Sequence, residues 1–561
     1  MGKWLVCAAW PYINAIPHLG TLIGSVLSAD VFARYLRLKG EDVVYVSGSD
    51  EHGTPIEVEA IRRNISPKEY TDKMHEIVSD LFKKWGISFD NYTRTENPIH
   101  IEFVRGFYKK IEKNGYVFTK IQQLPYCPNC KRFLPDRFVE GVCPYCGYEK
   151  ARGDQCDNCG RLLEPIQLVN PHCVICGATP EIRETKHWFF NLSAFQDKLK
   201  EYIENNKNLP DNAKNFSLQL IKEGLKPRSL TRDNKWGIPA PFEGAKDKTI
   251  YVWMEAVLGY ISATIEWSIK TGQPEKWKEY WFDSSTKSVY FIGKDNIPFH
   301  TLIFPALLMA THENYTLPWN VVSTEYLQFE GEKFSKSRGI GIWADEALKL
   351  FPVDYFRYVL ISIRPEKHDT SFRWDVFKQL VNDELNDIIG NFIHRTLTFI
   401  YNRFNGEIPK LGDLTEDDKK VLKRMEIVTE ESGKLLEKFR YKDALSTVVS
   451  LMHTGNQYLS NTEPWALIKK NKERASTILN ICAQLVASFA ILIEPFMPFT
   501  AEKIWKELLN MPGSVHEQNW ERAKTPILKE GHKINKPVTL FKKIPKDVDL
   551  NEIRSKEIGK T

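Results

Sequence analysis

The sequence has no run of apolar residues approaching the about 18 that a membrane-crossing helix requires. Its first residues, MGKWLVCAAWPYI, lack the long apolar core and small-residue cleavage site of a secretory signal. No membrane partner and a cytoplasmic location are therefore expected. Internal repeats and low-complexity tracts are missing, which argues against a repeat array or a disordered scaffold. Charge is nearly balanced at +5, so bulk electrostatics neither demand nor forbid a nucleic-acid partner. Cysteine is scarce outside one segment: only Cys7 and Cys482 lie elsewhere, in apolar settings that suit buried small hydrophobes.

The other eight cysteines fall between Cys127 and Cys176, all in C-x-x-C pairs: CPNC, CPYC, CDNC and CVIC. In a reducing compartment four such pairs indicate metal rather than disulfides. Eight thiolates suffice for two closed Cys₄ zinc sites of the structural kind. Spacing alone allows sequential or nested pairing.

At 561 residues the chain exceeds one ordinary core. Residues 3–50 read strand, turn, helix, strand: KWLVCAA, then HLGTLIGSVLSADVFARYLRLKG with helical spacing from His18, then DVVYVSGSD. That βαβ unit predicts a parallel sheet. The α/β pattern pauses through the cysteine segment and resumes at 249 with TIYVWMEA, SVYFIGKD and WNVVSTEYLQF. After about 374 strand signals give way to amphipathic stretches at 375–404, 416–439, 441–460, 473–493 and 499–510, a helical bundle. The tail from about 520, rich in Lys, Pro and Glu, is expected to lie over the surface.

Two segments carry chemistry. GEKFSKSRG sets Lys333 and Lys336 on a glycine-flanked loop after an apolar strand, an arrangement suited to a polyphosphate whose charge shifts during reaction. PHLGT places His18 and Gly20 at the start of the first helix, where free N–H groups and the helix dipole attract phosphate. Each is weak alone, since most such lysines are solvated and a helix-capping histidine is ordinary. Their pairing across a split α/β domain is specific.

PYINAIPHLGT together with KFSKS resembles the two signatures of class I aminoacyl-tRNA synthetases. SGSDEHGTPI, YVWMEAVLGY, YFIGKDNIPFH and NTEPW narrow the resemblance to the methionyl-tRNA synthetase family, in its archaeal and eukaryotic-like branch with two zinc knuckles. Two signature positions depart from that family: Thr21 replaces a second histidine, and Phe334 replaces a methionine. In the pocket region Trp10 and Val257 stand where many relatives carry Leu and Pro.

The resemblance implies a Rossmann-type parallel sheet in two halves, 1–116 and 249–320, split by an insertion at 117–248 with knuckles at about 124–180. A KFSKS-loop and stem-contact region (321–374), an anticodon-binding bundle (375–520) and a tail (521–561) follow. It implies ATP-dependent activation of methionine and transfer to tRNA(Met), initiator included, by a monomer. Alternatives are a sister class I synthetase for another apolar amino acid, whose long editing insertion is not visible here, and a non-catalytic tRNA-binding protein on a synthetase scaffold. Carried onto this sequence, His18, Gly20, Thr21, Lys333 and Lys336 would hold ATP, with His18 and the lysines catalytic and Mg²⁺ on the phosphates. Tyr12, Asp50, Trp253, Ala256, Tyr260, Ile297 and His300 would hold methionine, Asp50 taking the α-ammonium. Asn391, Arg395 and Trp465 would read a CAU anticodon. Nested zinc pairing follows from the same resemblance: Cys127, Cys130, Cys173 and Cys176 outside, Cys143, Cys146, Cys156 and Cys159 inside.

Overall fold

The first strand, β1 (Lys3–Ala8), is buried along nearly its whole length, as expected of a strand covered on both faces. In the computed structural model, which describes residues 2–135, 138–153, 156, 158–159, 163–335, 339–545, 547–552 and 554, it lies at the centre of a five-stranded sheet. The others are β2 (Asp42–Ser49), β3 (Asn91–Arg94), β4 (Lys287–Gly293) and β5 (Asn320–Thr324). All four pairings are parallel and the order is β3-β2-β1-β4-β5. Leu5 sits opposite Val44 on one side and Ser288 on the other. The order reverses between β1 and β4, so the crevice beyond their carboxyl ends is the place where such sheets bind ligands.

The helix Leu19–Leu38 crosses from β1 to β2. It is capped by His18 and carries a π-turn over Leu22–Val26. Its apolar face and that of Lys472–Ile493 are long enough to cross a membrane by composition. Yet 78% and 94% of their apolar windows are buried, which marks both as core helices of this fold.

The insertion is a long antiparallel ribbon, Val117–Cys127 against Glu181–Phe190, running in register from Val117↔Phe190 to Tyr126↔Glu181. At its tip Val139–Val142 pairs with Ala151–Arg152 and Val169–Cys173 around a core of Leu134, Phe138, Val139 and four cysteines.

Bundle helices Glu416–Glu437, Tyr441–Thr462 and Lys472–Ile493 match the predicted stretches to within two residues. The first stretch is one continuous rod, Trp374–Gln379, a π segment Leu380–Gly390 and Asn391–Arg403. Three expectations change. WNVVSTEYLQF is two strands: β5 completes the main sheet, so its second half runs past 320, and Leu327–Phe329 pairs instead with Thr370–Phe372. The tail is more than a surface wrapping. Leu528, Ile534, Phe541, Ile544 and Leu550 are buried in the main core, because widely spaced apolar residues let an irregular strap dock pocket by pocket. The same core runs unbroken from the sheet's helix into the bundle.

Candidate active site

A cleft of ≈ 350 Å³ opens at the switch point, walled by the segments after β1, β2, β4 and β5. Ala9, Trp10, Pro11 and Tyr12 follow β1; Asp50 follows β2; Gly293, Asn296, Phe299 and His300 follow β4; Thr324, Glu325 and Tyr326 follow β5. Trp253, Ala256, Val257 and Tyr260 close the far side. Of the sequence-predicted residues, Tyr12, His18, Gly20, Thr21, Asp50, Trp253, Ala256, Tyr260 and His300 all line it. Ile297 does not. The turn after β4 points it into the core, 4% exposed, and Asn296 and Phe299 take the wall.

At one end, His18 is extended (φ −93°, ψ 170°) and caps the helix. The Thr21 N–H donates to its Nδ1 at 3.3 Å. A backbone N–H can only donate, so the imidazole's proton lies on Nε2. Burial lowers the ring's pKa to about 4, so it is a neutral donor. Phe334 of the lysine loop stacks on this ring, centroids 4.2 Å apart and planes 11° from parallel. Gly20 makes room: a Cβ there would lie 3.0 Å from the imidazole and 3.5 Å from Phe334. The loop's base is tied by Leu19 N–H to the Ile342 carbonyl (3.2 Å), Ala344 N–H to the Pro17 carbonyl (2.9 Å), and a Ser335–Ile340 bridge. Lys333 is exposed on this loop; Lys336 lies outside the described residues. A cation not anticipated from the sequence, Lys294, stands at the carboxyl end of β4, 2.7 Å from Glu325 and 2.9 Å from Asp369. Its place straight after a switch-point strand was the available signal.

At the other end, Asp50 is pinned by its backbone: its N–H donates to the Pro11 carbonyl (3.0 Å) and its carbonyl accepts from Ile13 (3.1 Å). Its side chain is 4% exposed, and Oδ1 has no hydrogen-bond partner. Burial, then the nearby Glu255 carboxylate, push its pKa well above the usual carboxylate range. A buried carboxylate with one oxygen unsatisfied beside a cleft is costly unless a cation arrives. The His300 Nδ1–H donates to the Asn296 carbonyl (2.9 Å), leaving Nε2 to accept from the Tyr260 hydroxyl (2.8 Å). Trp253 is 43% exposed, edge-on to Phe299 at 4.9 Å, so it is not a core tryptophan. Trp10 lies in a notch of two glycines: Cβ atoms on Gly48 or Gly259 would come within 2.8 and 2.5 Å of the indole.

Away from the cleft, Cys127, Cys130, Cys173 and Cys176 form one group, and Cys143, Cys146, Cys156 and Cys159 another, ligand atoms within 4.8 Å in each. Sγ separations of 3.4 and 3.9 Å in the first and 3.9 and 3.6 Å in the second fit the roughly 3.8 Å edge of a tetrahedral zinc–thiolate site. On the bundle, Trp465 is 42% exposed beside a ≈ 470 Å³ groove also lined by His394, Arg395, Asn402 and Arg403. The Arg395 guanidinium lies 5.3 Å from the Trp465 ring. Asn391 is exposed one turn earlier on the same helix, outside that groove.

Residues 4–397 match the family model of class I tRNA synthetases (M), and 408–560 that of the anticodon binding domain of methionyl tRNA ligase. The chain superimposes on Mycobacterium tuberculosis methionyl-tRNA synthetase, solved in complex with methionyl-adenylate, with TM-score 0.80. The match covers 96% of this chain and 100% of that one at 24% identity, a likeness of fold. A parallel sheet with a switch-point cleft and these two signatures thus defines a class I aminoacyl-tRNA synthetase. Methionine–tRNA ligases of Thermofilum pendens and Korarchaeum cryptofilum are 55% and 54% identical, covering 97% and 98% of this chain and 96% and 97% of theirs. The chain belongs to the methionine–tRNA ligase family.

Proposed function

We propose that the cleft carries out both half-reactions of a methionine–tRNA ligase. The methionine carboxylate attacks the α-phosphorus of ATP and pyrophosphate leaves. A hydroxyl of the terminal tRNA adenosine then takes the methionyl group from the adenylate, and AMP leaves. No enzyme nucleophile is required; positioning and charge stabilisation supply the rate. The neutral His18 Nε2–H and the helix start hold one side of the triphosphate, and Lys333 and Lys336 close over the other. Magnesium on the phosphates would neutralise their charge, held by them and by water. Asp50 takes the α-ammonium. The thioether lies among Trp253, Ala256, Tyr260 and Phe299, where the Tyr260 hydroxyl turns from His300 toward sulfur. Zinc in the two cysteine groups is structural, shaping the knuckle that guides the acceptor end. The bundle groove reads the anticodon by stacking on Trp465 with donors from Arg395 and Asn391. The partners are tRNA(Met), initiator included, with the chain acting as a cytoplasmic monomer.

The observation that carries this reading is the contact between Phe334 and His18 at the rim of a cleft lined by Asp50, whose Oδ1 has no partner. Amino-acid-dependent ATP–pyrophosphate exchange tests it. Exchange stimulated by methionine and little by leucine or valine is expected. Preference for another apolar amino acid, or no exchange, would refute it.

A further inference from the structure

Behind Asp50 lies a buried acid cluster that the reaction as described does not use. His52, 1% exposed, sits between two carboxylates: Nδ1 is 2.5 Å from Glu255 Oε1 and Nε2 is 2.7 Å from Glu96 Oε2. Trp236 packs edge-on against the ring at 5.5 Å, fixing its plane. Burial raises the Glu255 pKa and the His52 charge opposes this; with both carboxylates ionised each can only accept, and the ring between them carries both protons. Glu255 is fully buried, its Oε2 has no hydrogen-bond partner, and it immediately precedes Ala256 on the cleft wall. Other charges face the cluster. Glu51 is paired with Arg94 at 2.8 Å, with His75 at 3.9 Å on its other oxygen. His100 is held by Ser262 at 2.8 Å.

We propose that His52 is a positioning residue for methionine binding: as an imidazolium clamped by Glu255 and Glu96, it cancels the Glu255 charge beside Asp50 and keeps the Asp50 carboxylate ionised for the substrate ammonium. The inference rests on the assignment of Asp50 to that ammonium. Burial alone would make the ring neutral; the two carboxylates reverse this and raise its pKa to about 10. Glu255 pushes the Asp50 pKa up, and His52 pulls it down. Without the imidazolium, Asp50 is harder to ionise, and a neutral carboxyl attracts an ammonium poorly. Raising pH restores the carboxylate, so the defect shrinks as pH rises.

The test uses the full chain in methionine-dependent exchange between pH 6 and 8. His52→Gln is expected to raise the methionine KM about tenfold near neutrality, the equivalent of about 1.4 kcal/mol of lost binding, with the KM for ATP unchanged. The rise should diminish toward pH 8 and be largely reversed by adding Glu255→Gln. An unchanged methionine KM, or a rise equal at every pH and not reversed by Glu255→Gln, overturns the inference. If His52→Gln does not fold by circular dichroism, Glu255→Gln alone decides. It should move the onset of methionine affinity to lower pH, and an unmoved profile counts against the proposal. Asp50→Asn separates the two readings. If it leaves the methionine KM unchanged, the Asp50 assignment fails. If it raises that KM while His52→Gln does not, only the His52 role fails.

Discussion

At the scale of single residues, chemistry follows from which proton or charge each group is left with. His18 is a donor because a backbone N–H occupies its other nitrogen. Asp50 is reactive toward a cation because nothing in the free protein satisfies Oδ1. In the proposed reaction Lys336 acts on charge that moves, so its loss should be felt in turnover rather than in ground-state binding. Lys336→Ala is expected to lower kcat about 10²- to 10³-fold, as for removal of one donor to a developing charge, with a smaller change in ATP affinity. Steady-state exchange kinetics read the split, and equal losses would mean the loop only grips the ground state. The helix start pointed to His18, and the family resemblance pointed to Asp50 and the cleft aromatics, because strand ends and helix starts are sequence-local features that a motif carries. It did not place Ile297, whose direction depends on one turn after β4. Nor did it reveal His52, whose partners Glu96 and Glu255 come from distant segments and are joined only by folding.

At the scale of elements, the helix behind His18 is welded to the bundle. Asp30 on it contacts Arg34 at 2.9 Å and Arg357 at 2.8 Å, and Arg34 reaches Glu494 at the end of Lys472–Ile493. Arg357, fully buried, also donates to the Trp85, Pro495 and Phe496 carbonyls. Burial alone would raise the Asp30 pKa; the Arg34 and Arg357 guanidiniums overcome it and bring it to about 2. The folded value lies below the unfolded one. This carboxylate therefore stabilises the fold above about pH 4 and loses that contribution as pH falls toward 2. Asp30→Asn takes from buried Arg357 its partner carboxylate and from Arg34 one of two, and should cost about 3–5 kcal/mol, measured by urea unfolding at pH 7. A cost under about 1 kcal/mol, typical of a surface pair, would contradict the weld. The helices themselves were legible from periodicity. The division of WNVVSTEYLQF was not, because two short strands separated by Glu325 and Tyr326 share one apolar pattern. The tail's composition concealed its burial, since five apolar residues spread over more than twenty positions leave no periodic signal.

At the scale of the whole molecule, one apolar core runs from the sheet's helix into the bundle, so the cleft and the Trp465 groove are joined by continuous packing. The proposed chemistry at one and recognition at the other should nonetheless be separable. Trp465→Ala should leave methionine-dependent exchange intact while weakening tRNA(Met) in aminoacylation by about 5- to 150-fold, the value of one lost base stack. An equal loss in exchange would mean the tryptophan supports the fold instead. The succession of parallel sheet, cysteine-bearing insertion and helical bundle was readable because cysteine and periodicity change abruptly along the chain; the shared core was not, since it depends on which faces meet. The central claim is that the first helix's imidazole and the lysine loop serve one triphosphate, with the substrate ammonium at Asp50. A crystal structure with methionine and a non-hydrolysable ATP analogue tests it most directly. The account predicts phosphates between His18 and the Lys333–Lys336 loop and the ammonium within hydrogen-bond reach of Asp50 Oδ1; nucleotide bound elsewhere, or an ammonium held by other groups, would contradict it.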